Sequence, residues 1–331
     1  MAGPLSYSEL DASQAGIWRY LKSLGLPSDG QQISLGEGNT PLVFGQGFGK
    51  QLAFKLESQN PSGSYKDRGS ALLASWLLSR GVDEAVEDSS GNAGASFAAY
   101  AARAGIRARI FVPAAASGPK RKQIEAYGAE LQAVEGPRSA AADAVQRAAA
   151  DGAVYASHAY LPFGLPGIAT IAYELCEQLG RAPGAVLAPV GHGSLLLGIA
   201  LGFETLLAAG KIAALPQLIG VQARACAPLW SLSTQGYAGL AWVTEGETLA
   251  EGVRVRQPLR GDALLAAVER SGGQFAAVEE NEILPARDAL ASVGLFVEPT
   301  SAIVWAALSQ VAEALPDPVV LVLTGSGLKA L

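Results

Sequence analysis

Residues 60–69 read Asn-Pro-Ser-Gly-Ser-Tyr-Lys-Asp-Arg-Gly, a turn rich in proline, glycine and serine, and an apolar stretch at 71–78 follows it directly. The apolar stretch predicts a helix, so Lys66 lies where the turn becomes a helix. The start of a helix carries partial positive charge, which disfavours an ammonium group and favours a reactive amine. Schiff-base chemistry requires such an amine. A solvated lysine beside an ordinary turn is the alternative interpretation.

The same ten residues resemble the lysine motif N-P-T-G-S-F-K-D-R-G of the threonine synthase family and differ from it at Ser62 and Tyr65. That family belongs to the fold type II, or tryptophan synthase β-like, pyridoxal-phosphate enzymes. Five more stretches of the chain match motifs of the family in the same order. They are E-G-N-T-P-L at 37–42, S-S-G-N-A-G at 89–94, the glycine-rich phosphate loop at 190–194, and the closing motifs at 298–299 and 324–329. The resemblance covers most of the chain and implies a pyridoxal 5′-phosphate enzyme with its Schiff base on Lys66.

Composition limits the classes of protein to which this chain of 331 residues can belong. Half of the residues are hydrophobic and 16% are charged, which permits a large core, and the length suggests about two domains. The net charge is −6 and no basic block occurs, so nucleic acid is not an expected partner. Two cysteines without zinc spacing and only two histidines, His158 and His192, predict that there is no metal site.

Signals for export and for membrane insertion are not found in the sequence. Met1–Tyr7 has neither the basic region nor the apolar core of a signal peptide. The longest apolar run, Leu195–Phe203, is too short to span a bilayer. We therefore expect a soluble, cytoplasmic protein without a membrane partner.

Short β-rich runs alternate with alanine-rich helical stretches from residue 52 onward. Several of these runs are apolar throughout, which is typical of strands buried on both faces of a parallel sheet. The alternation predicts an α/β fold with two open parallel-sheet domains and helices on both faces. The predicted strands are 52–56, 85–87, 108–112, 130–134, 153–156, 185–189, 217–221, 274–278 and 319–323, and the predicted helices include 94–104, 140–149 and 300–314.

The resemblance also implies a domain division and a homodimer. Residues 1–79 and 161–331 would form a larger cofactor-binding domain, and residues 80–160 a smaller one. The first 35 residues show no strand–helix alternation, and we expect them to wrap around the surface or around a dimer partner.

Gly191-His192-Gly193-Ser194 follows a predicted strand and opens a predicted helix. Glycines allow backbone N–H groups to point at one anion, the helix dipole favours that anion, and Ser194 adds a hydroxyl donor. The Gly-Lys-Ser/Thr of a P-loop is missing, and the GxGxxG spacing of a dinucleotide site is not met. A single phosphate, such as that of pyridoxal phosphate, fits better. His192 is either a neighbour of the phosphate or of the cofactor ring, or a turn residue without a special role. For the whole loop, the alternative is a plain tight turn that binds no anion.

Ser89-Ser90-Gly91-Asn92-Ala93 is a second turn from strand to helix that is rich in hydrogen-bond donors, and such a turn can bind a carboxylate. The resemblance implies that Ser89, Ser90 and Asn92 hold the α-carboxylate of the substrate. It also implies that Asn92 donates a hydrogen bond to the 3′-oxygen of the cofactor. A helix N-cap formed by one of the serines is the alternative.

Thr324 follows the last predicted strand. The resemblance implies that its hydroxyl meets the pyridine nitrogen of the cofactor. A neutral hydroxyl does not force protonation of that nitrogen as an aspartate would, and this suits elimination and replacement chemistry. A strand-end threonine with a satisfied hydroxyl is the alternative.

Residues 161–170 depart from the threonine synthase pattern. That family reads N-P-Y-R-x-E-G-Q-K-T, and its arginine grips the phosphate of O-phosphohomoserine, whereas this chain has Gly164 in the arginine's place and Ala169 in the lysine's. A dianion needs charge-assisted partners, which Arg254 or Arg256 could supply instead. Residues 248–252 in turn resemble a loop of serine and threonine dehydratases.

The sequence thus predicts a pyridoxal-phosphate-dependent lyase that acts on a small amino acid by elimination or replacement. The nearest activity is that of threonine synthase, which converts O-phosphohomoserine and water to threonine and phosphate. A serine or threonine dehydratase is the first alternative, and a cysteine-synthase-type β-replacement enzyme is the second. A non-catalytic binder of the cofactor and a nicotinamide dehydrogenase are alternatives from other classes.

Overall fold

The computed structural model describes residues 6–8, 10–27, 30–114, 118–136 and 138–331. Most of the N-terminal stretch that lacks a signal-peptide pattern, residues 1–5, lies outside these ranges. The chain forms two compact units. The first, here called the lysine unit, comprises Met1–Asn39, Asn60–Gly167 and Lys329–Leu331. The second, here called the glycine-loop unit, comprises Thr40–Gln59 and Ile168–Leu328.

The glycine-loop unit contains a six-stranded sheet. Its strands are β1 (Leu42–Gly47), β2 (Lys50–Lys55), β6 (Ala185–Pro189), β7 (Gln217–Ala223), β8 (Gln274–Val278) and β9 (Val319–Val322), in the order β1-β2-β9-β6-β7-β8. All neighbours are parallel except β1, which pairs antiparallel with β2 at the edge. β6 and β9 are buried along their whole length, as their uninterrupted apolar sequences predict.

Helices flank this sheet and close its core. They are α7 (Ser194–Ala208), α8 (Pro228–Gln235), α9 (Gly261–Arg270), α10 (Glu280–Ser292) and α11 (Pro299–Val311), together with the part of α6 (Leu165–Leu179) from residue 168 onward. Ile303 and Leu308 of α11 are fully buried in one cluster with Leu187 of β6 and Leu321 of β9. Apolar side chains from both helix and strands therefore form the main core.

The lysine unit is built on a three-stranded parallel sheet in the order β3-β4-β5. Its strands are β3 (Glu84–Glu87), β4 (Arg107–Pro113) and β5 (Glu130–Val134), and its helices are α1 (Leu21–Leu24), α2 (Lys66–Ser79), α3 (Asn92–Ala104), α4 (Pro119–Ala126) and α5 (Arg138–Ala150). The two parallel sheets flanked by helices agree with the predicted fold class.

The N-terminal segment packs inside the lysine unit rather than around its surface. Ile17 and Trp18 are buried in one cluster with Leu72 of α2 and Tyr100 of α3. Buried Glu37 holds this segment, because its carboxylate accepts hydrogen bonds from Trp18 Nε1 at 2.7 Å and Tyr100 OH at 2.8 Å. Ile17, Trp18 and α2 thus pack in the unit that contains the three-stranded sheet. The division into 1–79 plus 161–331 and 80–160 stays a prediction.

Two strand predictions differ from the structure. β1 was not predicted, because its sequence Leu-Val-Phe-Gly-Gln-Gly has two glycines and leaves Phe44 exposed at the sheet edge. Residues 153–156 were predicted as a strand, but they form only an isolated bridge between Tyr155 and Val86. The chain enters a turn soon after this bridge, so the ladder ends there.

None of the helices in the described ranges combines the length and the apolar character that crossing a membrane requires.

Candidate active site

Lys66 is the first residue of α2, as the turn-to-helix pattern predicts. The turn before it is closed by a hydrogen bond of 2.7 Å from Gly63 N–H to the Asn60 carbonyl, and Gly63 has a left-handed φ of 86° that favours glycine. The Lys66 side chain is half-buried, and its Nζ lies 5.0 Å from the centre of the Tyr65 ring. The amine forms no salt bridge with any residue that the structure describes.

Asp67 anchors this turn, a role that was not predicted from the sequence. Its buried carboxylate accepts hydrogen bonds of 2.6 Å from Ser62 N–H and from Ser96 Oγ of α3, and another from Ser62 Oγ. Lys329 donates a hydrogen bond of 2.8 Å to the Ser62 carbonyl. The turn that carries Lys66 is therefore fixed to α3 and to the end of the chain. Burial raises the pKa of Asp67 to about 6, although the hydrogen bonds and Lys329 oppose this shift.

The raised pKa of Asp67 predicts a pH dependence of stability. An acid with a raised pKa in the folded state holds its proton more tightly when folded, so its contribution to stability is lost as the pH rises from its ordinary pKa of 3.8 to about 6. We expect this loss to be about 3 kcal/mol. The Asp67→Asn variant has no carboxyl group to titrate at this position, so its stability should not show this loss. Urea unfolding between these pH values, at one saturating cofactor concentration, measures the difference. Exposed Asp83→Asn should keep the wild-type dependence, and equal pH slopes for wild type and Asp67→Asn would contradict the prediction.

The serine loop, residues 89–92, leads from β3 into α3, which begins at Asn92. Ser89 is buried, whereas Ser90 and Asn92 are half-buried. Gly94 permits the sharp bend, because a Cβ atom at this position would lie only 1.8 Å from the Ser89 carbonyl oxygen. The first turn of α3 leaves backbone N–H groups available near these residues, as a carboxylate site requires. Since Ser96 of α3 bonds to Asp67, the serine loop and the Lys66 turn are joined through one helix.

Glu87 and His158 form a pair next to the serine loop. Glu87 was not identified as a site residue from the sequence. Fully buried Glu87 accepts a hydrogen bond of 2.5 Å from Ser89 N–H, and its other oxygen lies 2.6 Å from His158 Nδ1. Because Glu87 accepts the Ser89 N–H, the pair orients the backbone of the serine loop. The only sequence signal for Glu87 is its position as an acid at the end of a short strand. The histidine lies 71 residues further along the chain.

The glycine loop, residues 191–194, lies in the glycine-loop unit between β6 and α7. Gly193 has a left-handed φ of 94°. Gly191 allows a close approach to residues 251–253, since a Cβ there would lie 2.6 Å from the Gly252 carbonyl oxygen. Buried Ser194 is the first residue of α7 and accepts a hydrogen bond of 3.2 Å from Arg260 Nε. Backbone donors, a hydroxyl and a guanidinium thus meet at one helix N-terminus.

Thr324 is buried and is the second residue after the end of β9. Its hydroxyl lies 2.8 Å from Ser301 Oγ, and Ser301 Oγ accepts a hydrogen bond of 3.0 Å from Gly325 N–H. Buried Glu298 comes within 3.4 Å of the same threonine hydroxyl. Sequence reasoning noted Glu298 as part of a motif but missed Ser301, which lies 23 residues away in the chain.

Neighbouring strands bring Thr324 and the glycine loop to the same edge of the sheet. β6 and β9 are parallel and adjacent, so the residues that follow them leave the sheet at its carboxyl edge. Gly252 links the glycine loop to the surroundings of Thr324. It approaches Gly191, and its N–H donates to Thr300 Oγ1 at 3.1 Å, next to Ser301. In a parallel α/β sheet this edge is where ligands bind.

A family model described as "Pyridoxal-phosphate dependent enzyme" matches residues 33–325. The chain belongs to this pyridoxal-phosphate dependent enzyme family. The enzyme is 34% identical to the threonine synthase of Methanocaldococcus jannaschii over 98% of this chain and 83% of that protein. It is also 34% identical to the threonine synthase of Bacillus sp. (strain ULM1), over 94% of this chain and 89% of that protein.

Solved structures agree with this assignment. A threonine deaminase from T.th. aligns with a TM-score of 0.72 and 27% identity over 87% of this enzyme and 92% of that chain. Maize serine racemase aligns with a TM-score of 0.74 at 22% identity over 87% and 88% of the two chains, which shows a shared fold. The enzyme is a pyridoxal-phosphate-dependent lyase with the fold type II architecture.

The residues present fit this cofactor. Lys66 offers an amine, half-buried at a helix start, for the aldehyde. The glycine loop offers the backbone N–H groups of the first turn of α7, which the helix itself does not use, and Ser194 and Arg260 add polar and charged donors for a phosphate. This combination of donors matches a single phosphate group rather than a dinucleotide.

Proposed function

We propose that the enzyme is a threonine synthase, which converts O-phosphohomoserine and water to threonine and phosphate. The observation that carries this proposal is the 34% identity to a threonine synthase over 98% of the chain. The lysine motif at 60–69, with Lys66 at the start of α2 and Asp67 anchoring the turn, supports it.

Each candidate residue has a proposed role in this reaction. Lys66 holds the cofactor and then moves protons as general base and acid. Ser89, Ser90 and Asn92 hold the α-carboxylate of the substrate, and Asn92 also donates to the 3′-oxygen of the cofactor. Gly191, His192, Gly193 and Ser194 surround the cofactor phosphate, and Thr324 meets the pyridine nitrogen. When bound, pyridoxal phosphate supplies an electron sink for the carbanion at Cα.

The environment of Thr324 supports its role. Ser301 Oγ accepts the Gly325 N–H and lies at hydrogen-bond distance from Thr324 Oγ1. These contacts hold the threonine hydroxyl in place, and the same hydroxyl donates a hydrogen bond of 3.4 Å to the Glu298 carboxylate. A hydroxyl at this position suits elimination and replacement better than a carboxylate would.

A serine or threonine dehydratase is the second candidate, and Gly164 favours it. The backbone of Gly164 lies against α2, where an added Cβ would be 3.2 Å from Gly69 Cα. A basic side chain is therefore replaced here by a close packing contact, and residues 161–170 contain no cation for a substrate phosphate. Of the other candidate cations, Arg254 donates to the Glu245 carbonyl at 3.0 Å, and Arg256 is exposed. The similarity to a threonine deaminase points in the same direction.

The deciding experiment supplies the purified, cofactor-loaded enzyme with O-phosphohomoserine and quantifies phosphate and threonine in the same tube. Equal amounts of both products support the proposal. If no phosphate is released, the same enzyme is given serine and threonine. Formation of a keto acid together with ammonia would identify it as a dehydratase. Consumption of an O-acylated serine together with a thiol would indicate β-replacement. Gly164→Arg is a poor test of this question, because its side chain must first displace the contact with α2.

We also propose that the enzyme is a homodimer in the cytoplasm, as the resemblance to threonine synthases implies. Light scattering coupled to size-exclusion chromatography tests the dimer, and cell fractionation tests the location.

A further inference from the structure

Arg260 lies directly on the glycine loop. Its backbone N–H donates a hydrogen bond of 3.2 Å to the His192 carbonyl, so the turn before α9 is joined to the loop backbone. A Cβ atom added at Gly193 would lie 3.4 Å from Arg260 Cβ. The side chain then continues to Ser194, where Nε donates to Oγ at 3.2 Å. Arg260 is thus hydrogen-bonded to two residues of the loop, His192 and Ser194, and lies beside Gly193.

The charge of Arg260 is partly withdrawn from water at this position. The residue is half-buried, and burial lowers the pKa of its guanidinium. The acceptor of its Nε–H, Ser194 Oγ, is a neutral hydroxyl that belongs to the proposed phosphate site.

A loop of glycines and a helix N-terminus do not by themselves balance the negative charge of a phosphate group. The helix dipole contributes about half of one positive charge. A phosphate monoester near neutral pH carries a charge of roughly −1.5 to −2. A guanidinium beside the loop makes up most of this difference, and its hydrogen bonds to phosphate oxygens are charge-assisted.

We propose that Arg260 is the cation of the cofactor's phosphate site and binds the phosphate group together with Ser194 and the glycine loop. This proposal rests on the assignment of that loop to the cofactor phosphate and does not depend on which amino acid the enzyme converts. It makes the enzyme selective for the phosphorylated cofactor, because unphosphorylated pyridoxal presents the same aldehyde to Lys66 but no anion to Arg260.

The test measures cofactor binding rather than turnover. The holoenzyme is stripped of cofactor with hydroxylamine, dialysed, and titrated separately with pyridoxal phosphate and with pyridoxal, while absorbance reports occupancy. For Arg260→Gln we expect the dissociation constant for pyridoxal phosphate to rise on the order of tenfold to hundredfold, the range for losing a hydrogen bond to a charged group. The constant for pyridoxal should stay at its wild-type value. Arg260→Lys keeps the charge and should recover part of the affinity.

Arg270→Gln is the matched control, since Arg270 is exposed at the other end of α9 and the substitution should leave both constants unchanged. Unchanged affinity of Arg260→Gln for pyridoxal phosphate would overturn the proposal. Equal weakening for both ligands would also overturn it, because that result indicates a structural role alone. Failure of the threonine synthase assignment would appear in the product assay instead, with cofactor binding intact.

Discussion

Lys66→Ala is expected to abolish both turnover and the yellow absorbance of lysine-bound cofactor. The substitution removes the amine that holds the aldehyde and the group that moves the proton at Cα. We expect activity to fall at least on the order of 10³-fold, since positioned acid–base groups alone contribute about 10²–10⁴. Absorbance spectra and steady-state rates on the substrate identified by the product assay measure the two effects.

Lys122→Ala is the control for this experiment, because Lys122 is an exposed lysine of the same unit and should keep colour and rate. Addition of a small primary amine to Lys66→Ala separates loss of the amine from misfolding: partial recovery of activity shows that the rest of the site is assembled. A Lys66→Ala enzyme with normal colour and turnover would show that another lysine carries the cofactor, and the site assignment would then be wrong.

Lys55→Met is expected to lower the free energy of unfolding by about 3–5 kcal/mol. Lys55 is fully buried at the end of β2, and its Nζ donates to Glu174 Oε2 at 2.7 Å, to the Thr40 carbonyl at 2.8 Å and to Gln178 Oε1 at 2.9 Å. Removal of this cation takes the Lys55 ammonium away from the buried Glu174 carboxylate, and the loss of this charge partner lowers the stability. Denaturant unfolding with a constant m-value measures it.

The double variant Lys55→Met, Glu174→Leu should recover much of this stability, because it removes both charges and fills the space with apolar groups. The exposed pair Arg270–Glu204 is the control, and Arg270→Gln should cost less than about 1 kcal/mol. A loss below that value for Lys55→Met would contradict the prediction.

Local sequence patterns were sufficient to predict several strands and the position of Lys66 at the start of a helix. β5, β6 and β8 have the predicted bounds, and α2 begins at Lys66. These are the segments in which burial or turn chemistry acts on neighbouring residues, so the pattern is visible in a short stretch. β1 escaped prediction because an exposed edge strand with glycines lacks the apolar alternation.

The partners of the site residues came from the fold and could not be read from the sequence. Asp67 bonds to Ser96, Glu87 to His158, Thr324 to Ser301 and Arg260 to Ser194, across separations of 29, 71, 23 and 66 residues. Motifs report which residue types a short stretch contains, and their chemistry follows from that. Hydrogen bonds between distant residues depend on how helices and strands pack, and this packing decides which donors and acceptors are buried together. Sequence motifs therefore identified the cofactor, whereas the folded chain shows how Asp67 holds the lysine turn and places Arg260 against the glycine loop.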